Sequence, residues 1–223
     1  MAIGYFITGT DTGVGKTLVA AALIQKFAQQ RLRVSGMKPV ASGCESTNEG
    51  LRNEDAEALA AQATVRHPYE RVNPYAFAPA IAPHIASEGA GKPIELAVLI
   101  QAYQELGALS DIVVVEGAGG WRVPLGPVGT LADFPEQLGL EVILVVGLRL
   151  GCLNHALLTS EAIERRGKCR LAGWVGNGID PEFAPLAANI DTLTRRIAAP
   201  CLGIVPPLQP PSLDLAAACL TLP

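Results

Sequence analysis

The nonapeptide Gly9-Thr10-Asp11-Thr12-Gly13-Val14-Gly15-Lys16-Thr17 carries the residue types that grip a phosphate chain. It follows the apolar run Ile3-Gly4-Tyr5-Phe6-Ile7 and opens into a helical pattern, the strand–loop–helix order such a loop needs. Loop N–H groups and the first helical turn converge into an anion site, and glycine lets the backbone come close because it has no Cβ. Lys16 supplies a mobile positive charge, and the Thr17 hydroxyl is a hard oxygen suited to Mg²⁺. The common spacing puts a glycine five residues before Gly15; here that position is Thr10, and Gly9 lies one residue earlier. The competing reading is an ordinary glycine-rich turn that happens to contain Lys-Thr, and the flanking strand and helix weigh against it.

Other chemistry-bearing residues stand far away in the chain. Glu116 ends the apolar run Ile112-Val113-Val114-Val115, where a carboxylate can hold Mg²⁺ beside a phosphate loop or else cap a neighbouring helix. Asp55 on its own reads as a solvated acid near a helix start. Lys38 precedes Pro39 at a strand end, aimed at the phosphate site or snorkelling to solvent. Gly151-Cys152-Leu153-Asn154 opens a helix whose free N–H groups form a second anion site or are simply capped. His84 and His155 lack the i+4 partner of a zinc site.

These residues require a scaffold that gathers them, and the chain predicts one. Strands are expected at 3–8, 33–40, 111–116, 141–147, 170–176 and 201–205, with helical patterns between them. Ala20, Leu23, Ile24 and Phe27 form one apolar helix face, and 54–63, 94–108 and 152–166 also read as helices. Residues 41–53 read as a loop and 66–84, with four prolines, as an irregular excursion. The alternation predicts an α/β fold, a mostly parallel central sheet flanked by helices in three layers, as in phosphate-loop NTPases. Ligands of such a sheet sit beyond the carboxyl ends of its strands, where residues 9–17, Lys38, Ser42, Glu116 and Asn177 all fall.

Composition narrows the classes. The 223 residues suit one domain, 1–223, and only 17% are charged, below the roughly 25% of an average domain, which points to doubly covered strands or a surface reserved for a subunit partner. The net charge of −4 and the lack of a basic run give no electrostatic case for nucleic acid. No signal peptide is expected, and no uncharged apolar run reaches membrane-spanning length, so a cytoplasmic protein is expected. The five cysteines (44, 152, 169, 201, 219) form no Cys-x-x-Cys pair and read as reduced, mostly buried thiols.

Taken together, several segments resemble the dethiobiotin synthetases, ATP-dependent enzymes of biotin synthesis. The resemblance is carried by residues 9–17, Lys38-Pro39-Val40 with Ser42-Gly43, Leu51-Arg52-Asn53 with Asp55-Ala56, Val72-Asn73-Pro74-Tyr75, and Pro83-His84-Ile85. It continues through Glu116-Gly117-Ala118-Gly119-Gly120-Trp121, Gly151-Cys152 with Asn154-His155-Ala156, and Leu171-Ala172-Gly173-Trp174-Val175 with Asn177. That family carries Thr where Thr10 stands, which accounts for the unusual loop. The resemblance implies a ligase that carboxylates 7,8-diaminopelargonate with CO₂ and closes the ureido ring at the expense of ATP. It implies Mg²⁺ held by Thr17, Asp55 and Glu116, with Lys16, Lys38 and Thr12 as catalytic residues. It implies ATP contacts from Gly13, Val14, Gly15, Lys16, Thr17, Leu18, Gly117, Ala118, Gly119, Asn177, Pro206, Pro207 and Leu208. It further implies diamine contacts from Ser42 and, across a homodimer interface, from Gly151, Cys152, Leu153 and Asn154. Relatives can carry Glu at the position of Gly13 and an acid at that of Gly178, so nucleotide preference is expected to be looser here.

Rival classes share parts of this pattern. Partitioning-type ATPases use a similar sheet but typically place a second lysine early in the loop, where this chain has Thr10 and Asp11. Cobyrinate synthases are much longer and carry a glutaminase. A catalytically dead nucleotide-binding scaffold is disfavoured by the joint presence of Lys16, Thr17, Lys38, Asp55 and Glu116.

Overall fold

The structure is a computed structural model describing residues 2–127, 129–165, 167–183, 186–208 and 210–223. Strands β1 (Ile3–Gly9), β2 (Val34–Met37), β3 (Ile112–Gly120), β4 (Glu141–Leu148), β5 (Arg170–Gly178) and β6 (Cys201–Val205) pair in parallel in the order β6-β5-β4-β1-β3-β2. From β1 the chain crosses to β2 at the edge, returns through β3 beside β1, then passes to the other side and steps outward through β4, β5 and β6, so the topological switch lies at the carboxyl end of β1, where a crevice opens. Helices α1 (Lys16–Gln29), α2 (Glu54–Gln62), α3 (Leu96–Leu109), α4 (Cys152–Glu164), α5 (Leu186–Arg196) and α6 (Leu213–Ala218) cover the sheet.

Strand alternation builds two cores from one sheet. Tyr5, Ile7, Val114, Ile143 and Val145 face α1, Leu59 of α2, and Ala216 and Ala217 of α6. Phe6, Val113, Val115, Leu144 and Val146 face the other way, onto Leu99 and Leu106 of α3, Ala156 and Ile163 of α4, and Leu193 of α5. Ala20, Leu23, Ile24 and Phe27 are all buried, as the helical spacing requires.

Four sequence expectations are corrected. The second strand stops at Met37 rather than running to residue 40, because Pro39 has no N–H for the ladder. From there Lys38 N donates to Val72 O, and Val40–Ser42 pairs instead with Tyr75–Phe77. Residues 41–53 contain a hairpin, Glu45–Thr47 against Gly50–Arg52, that is largely solvent-exposed and so lacks apolar alternation. Residues 66–84 are not irregular throughout but hold a helical turn, Tyr69–Val72, the strand Tyr75–Phe77, and a helix starting at Pro83. Strands β3 and β5 run to Gly120 and Gly178, so Asn177 lies within its strand rather than after it.

Candidate active site

Residue types set the first turn of each element that reaches the crevice. Lys16 and Thr17 are the first residues of α1, so their side chains leave the end of the phosphate loop together. Asn53 caps α2: its Oδ1 accepts from Ala56 N, and its own N–H donates to Tyr69 Oη at 2.7 Å. The Arg52 guanidinium lies 4.2 Å from the centre of the Tyr69 ring, so the turn at 69–72 fixes the start of the helix that carries Asp55. Replacing Asn53 by alanine removes this cap and should lower stability by about 1 kcal/mol. A urea denaturation midpoint equal to that of the parent would show that the cap contributes nothing.

Four distant residues meet in a cluster of one ammonium, two carboxylates and a hydroxyl. The Thr17 hydroxyl lies 2.6 Å from Asp55 Oδ1 and 3.0 Å from Glu116 Oε1. The Lys38 ammonium bridges the same carboxylates, 2.8 Å from Asp55 Oδ2 and 2.7 Å from Glu116 Oε1. Lys38 is only 4% exposed, which excludes snorkelling, and Glu116 is 1% exposed, which excludes a solvated acid. Burial works against the Lys38 charge, but the Glu116 and Asp55 carboxylates outweigh it and hold its pKa above the ordinary lysine value. Burial likewise pushes Asp55 up, and Lys38 with Thr17 pulls it further down, below the usual carboxylate range. Burial raises Glu116 against the pull of Lys38. Asp55 is therefore no solvated helix acid.

Lys16 sits beside this cluster, its Nζ donating to Asp11 O at 2.9 Å. Burial, reinforced by the neighbouring Lys38, brings its pKa down to about 8. A bound polyanion returns the attraction that burial removes.

Two clefts meet at the loop. A cavity of about 740 Å³ is lined by Thr12, Lys16, Thr17, Lys38, Ser42 and Glu116, among others, and also by Asp55, Ala118 and Gly119. The Ser42 Oγ is buried without a hydrogen-bond partner. A second cleft of about 330 Å³ is lined by Leu18, Asn177, Pro206, Pro207 and Leu208. Gly13 and Gly15 line both. Val14 is buried, and its carbonyl accepts from Asn177 Nδ2 at 2.9 Å. Gly117 is buried below the cluster, its carbonyl 3.5 Å from Lys38 Nζ. Gly151, Cys152, Leu153 and Asn154 line neither cleft. They open α4 with no side-chain cap at its start, and Asn154 is exposed. Sequence spacing did not single out Asn53, Tyr69, Arg52 or Arg149, whose roles depend on contacts between distant segments.

A parallel sheet with a phosphate loop at its switch point, and a Lys–carboxylate cluster beyond it, defines a phosphate-loop nucleotide-binding protein. The family model described as an AAA domain matches residues 3–212. The chain is 53% identical to the ATP-dependent dethiobiotin synthetase BioD of Pseudomonas aeruginosa, covering 92% of this chain and 90% of that one. It is also 53% identical to that of Chromohalobacter salexigens, covering 98% of both. The chain belongs to the ATP-dependent dethiobiotin synthetase family. Its fold is also that of a chain in the MinC:MinD cell division protein complex of Aquifex aeolicus, with a TM-score of 0.60, 18% identity and coverage of 97% of this chain and 86% of that one. At that identity the likeness concerns the fold alone. Among the described residues no helix is long and apolar enough to cross a membrane.

Proposed function

We propose that this chain, acting as a single domain over residues 1–223, converts 7,8-diaminopelargonate, CO₂ and ATP into dethiobiotin, ADP and phosphate. The observation that carries the reading is the cluster of Thr17, Lys38, Asp55 and Glu116 at the mouth of a cavity large enough for a diamine and a triphosphate, in a chain that matches dethiobiotin synthetases over nearly its whole length. One amine takes up CO₂ and loses a proton to become a carbamate. A carbamate oxygen attacks the γ-phosphorus and ADP leaves. The second amine then attacks the carbamoyl carbon, phosphate departs, and the ureido ring closes.

The chain's contribution is placement and charge. Lys16 approaches the phosphate chain from the start of α1, and Lys38 offsets charge on the transferring phosphoryl group and the carbamate. Thr12 and Ser42 line the same cavity and take the diamine end; the unpartnered Ser42 hydroxyl is free to bond it. Leu18, Asn177, Pro206, Pro207 and Leu208 provide the cleft for adenine, with loop residues 13–15 between it and the phosphates.

A divalent cation fits the cluster. Glu116 Oε2 is buried without a partner, and two carboxylates with a hydroxyl form an all-oxygen donor set suited to Mg²⁺. Thr17, Asp55 and Glu116 would hold it, and when bound it neutralises phosphate charge.

The segment 151–154 lines neither cleft of its own chain, and the adjoining Leu150 is 88% exposed, with Leu158 at 58%. These features support a homodimer in which each α4 start receives the carboxylate of the diamine bound to the other chain. Asn154→Ala should then raise the KM for the diamine about tenfold, roughly one charge-assisted hydrogen bond, and leave ATP binding unaltered. Unchanged diamine kinetics would remove the carboxylate role. The five cysteines are all free, which fits a reducing cytoplasm.

The reading is tested by phosphate release from Mg-ATP and bicarbonate with and without 7,8-diaminopelargonate, with mass detection of the product. Diamine-dependent release with a cyclic urea product is expected. Release indifferent to the diamine would overturn the ligase and leave a nucleotidase.

A further inference from the structure

We infer that Arg149 is a positioning residue for ATP, neutralising Asp11 and clasping the phosphate loop to the end of β4. The inference rests on the reading of residues 9–17 as the loop that holds the phosphates of ATP.

Asp11 places a carboxylate directly before Thr12, Gly13, Gly15 and Lys16, all of which line the larger cavity. An acid there repels a triphosphate, and nothing in the proposed reaction calls for one. Its two oxygens are both engaged: Oδ2 lies 2.7 Å from Arg149 Nη2, and Oδ1 accepts from Thr12 N at 2.8 Å. Its carbonyl holds the Lys16 ammonium. Asp11 is thus the hub through which Arg149 touches both a loop amide and the phosphate-binding lysine.

The clasp is the last of three contacts between the same two segments. Thr10 N donates to Val145 O at 3.0 Å, Gly147 N donates to Thr10 Oγ1 at 3.4 Å, and Arg149 closes the series. The opposite shoulder of the loop is held by Asn177 Nδ2 on Val14 O. With the loop pinned at both shoulders, the amides between them are arranged before ATP arrives, which reduces the ordering cost of binding. Arg149 and Asp11 are both about half exposed, so the pair adds little to folding stability. Its effect falls on the ligand, because loss of the guanidinium leaves a bare carboxylate beside a polyanion.

The sign of that effect gives the test. Arg149→Ala should raise the KM for ATP about fivefold, the range an exposed ion pair can carry, with turnover and the KM for the diamine unchanged. Arg149→Lys, which keeps the charge, should recover most of the loss. Asp11→Asn combined with Arg149→Ala should bind ATP better than Arg149→Ala alone, since the repelling charge is gone. An unchanged KM for ATP in Arg149→Ala, or a double variant as impaired as the single one, would overturn the assignment. An equal rise in the diamine KM would overturn it too, by showing that Arg149 acts through the turn at 151–154. Lys16→Ala serves as the reference: if it binds ATP normally, the loop reading itself fails and the clasp with it. If it loses ATP while Arg149→Ala does not, only the clasp fails.

Discussion

Lys38→Ala should lower turnover by about two to three orders of magnitude, the range set by losing one preorganised charge from a phosphoryl-transfer site. The affinity for Mg-ATP should stay within about threefold of the parent. The asymmetry follows from what the ammonium touches. Lys38 is buried and already paired with Asp55 and Glu116, so its charge is balanced before any ligand arrives. Its removal leaves two carboxylates free to attract a divalent cation more strongly, which offsets the lost attraction to phosphate in the ground state. No such compensation exists for charge that develops on the transferring group and the carbamate during reaction. The ligand-free variant pays separately, because deleting one member of a buried pair leaves uncompensated charge behind. Lys38→Met, which preserves volume, guards against a packing effect. Calorimetric binding of a non-hydrolysable ATP analogue, set beside single-turnover rates, separates the two quantities. Equal losses in both would reduce Lys38 to a ground-state clamp.

The same residue marks how far the sequence could be read. Lys38 before Pro39 announced a strand end, and the apolar run before Glu116 announced another, because burial on both faces of a parallel sheet leaves continuous hydrophobic strands. The phosphate loop was legible because its chemistry is local. Asp55 was not legible from its own surroundings: its role depends on meeting Thr17, 38 residues away, and that meeting is made by the cap at Asn53 and the stacking of Arg52 on Tyr69. Only family resemblance pointed to it. The hairpin at 45–52 left no pattern because it buries no continuous face. The Asp11–Arg149 pair spans 138 residues and joins two loops, so no periodicity could announce it. Local order is written in spacing, whereas convergence is written in topology, and the site depends on both.

Gly15→Ala should abolish useful ATP binding, with affinity falling about a hundredfold or more, equivalent to about 2.7 kcal/mol. Gly15 adopts φ +89°, a left-handed conformation that costs a residue with a Cβ about 1–2 kcal/mol. The larger penalty is contact. A Cβ at Gly15 would lie 2.1 Å from Asn177 Nδ2, an atom held in place by its bond to Val14 O. Asn177 is buried in β5, so it can yield only by releasing Val14 and unpinning that shoulder of the loop. Gly15 also lines both clefts, so the methyl group intrudes where the two meet. Gly13 provides the control within the same loop. It has φ +73°, but a Cβ there meets nothing within 4 Å, so Gly13→Ala carries the conformational cost without the clash. That substitution should weaken ATP by no more than about thirtyfold. Titration of both variants with a fluorescent ATP analogue, after circular dichroism has established that each is folded, decides between the causes. Equal weakening would attribute the whole effect to backbone strain and remove Asn177 as the limit on the loop. A hundredfold effect confined to Gly15→Ala would make the Asn177–Val14 contact the feature that ties the two clefts together.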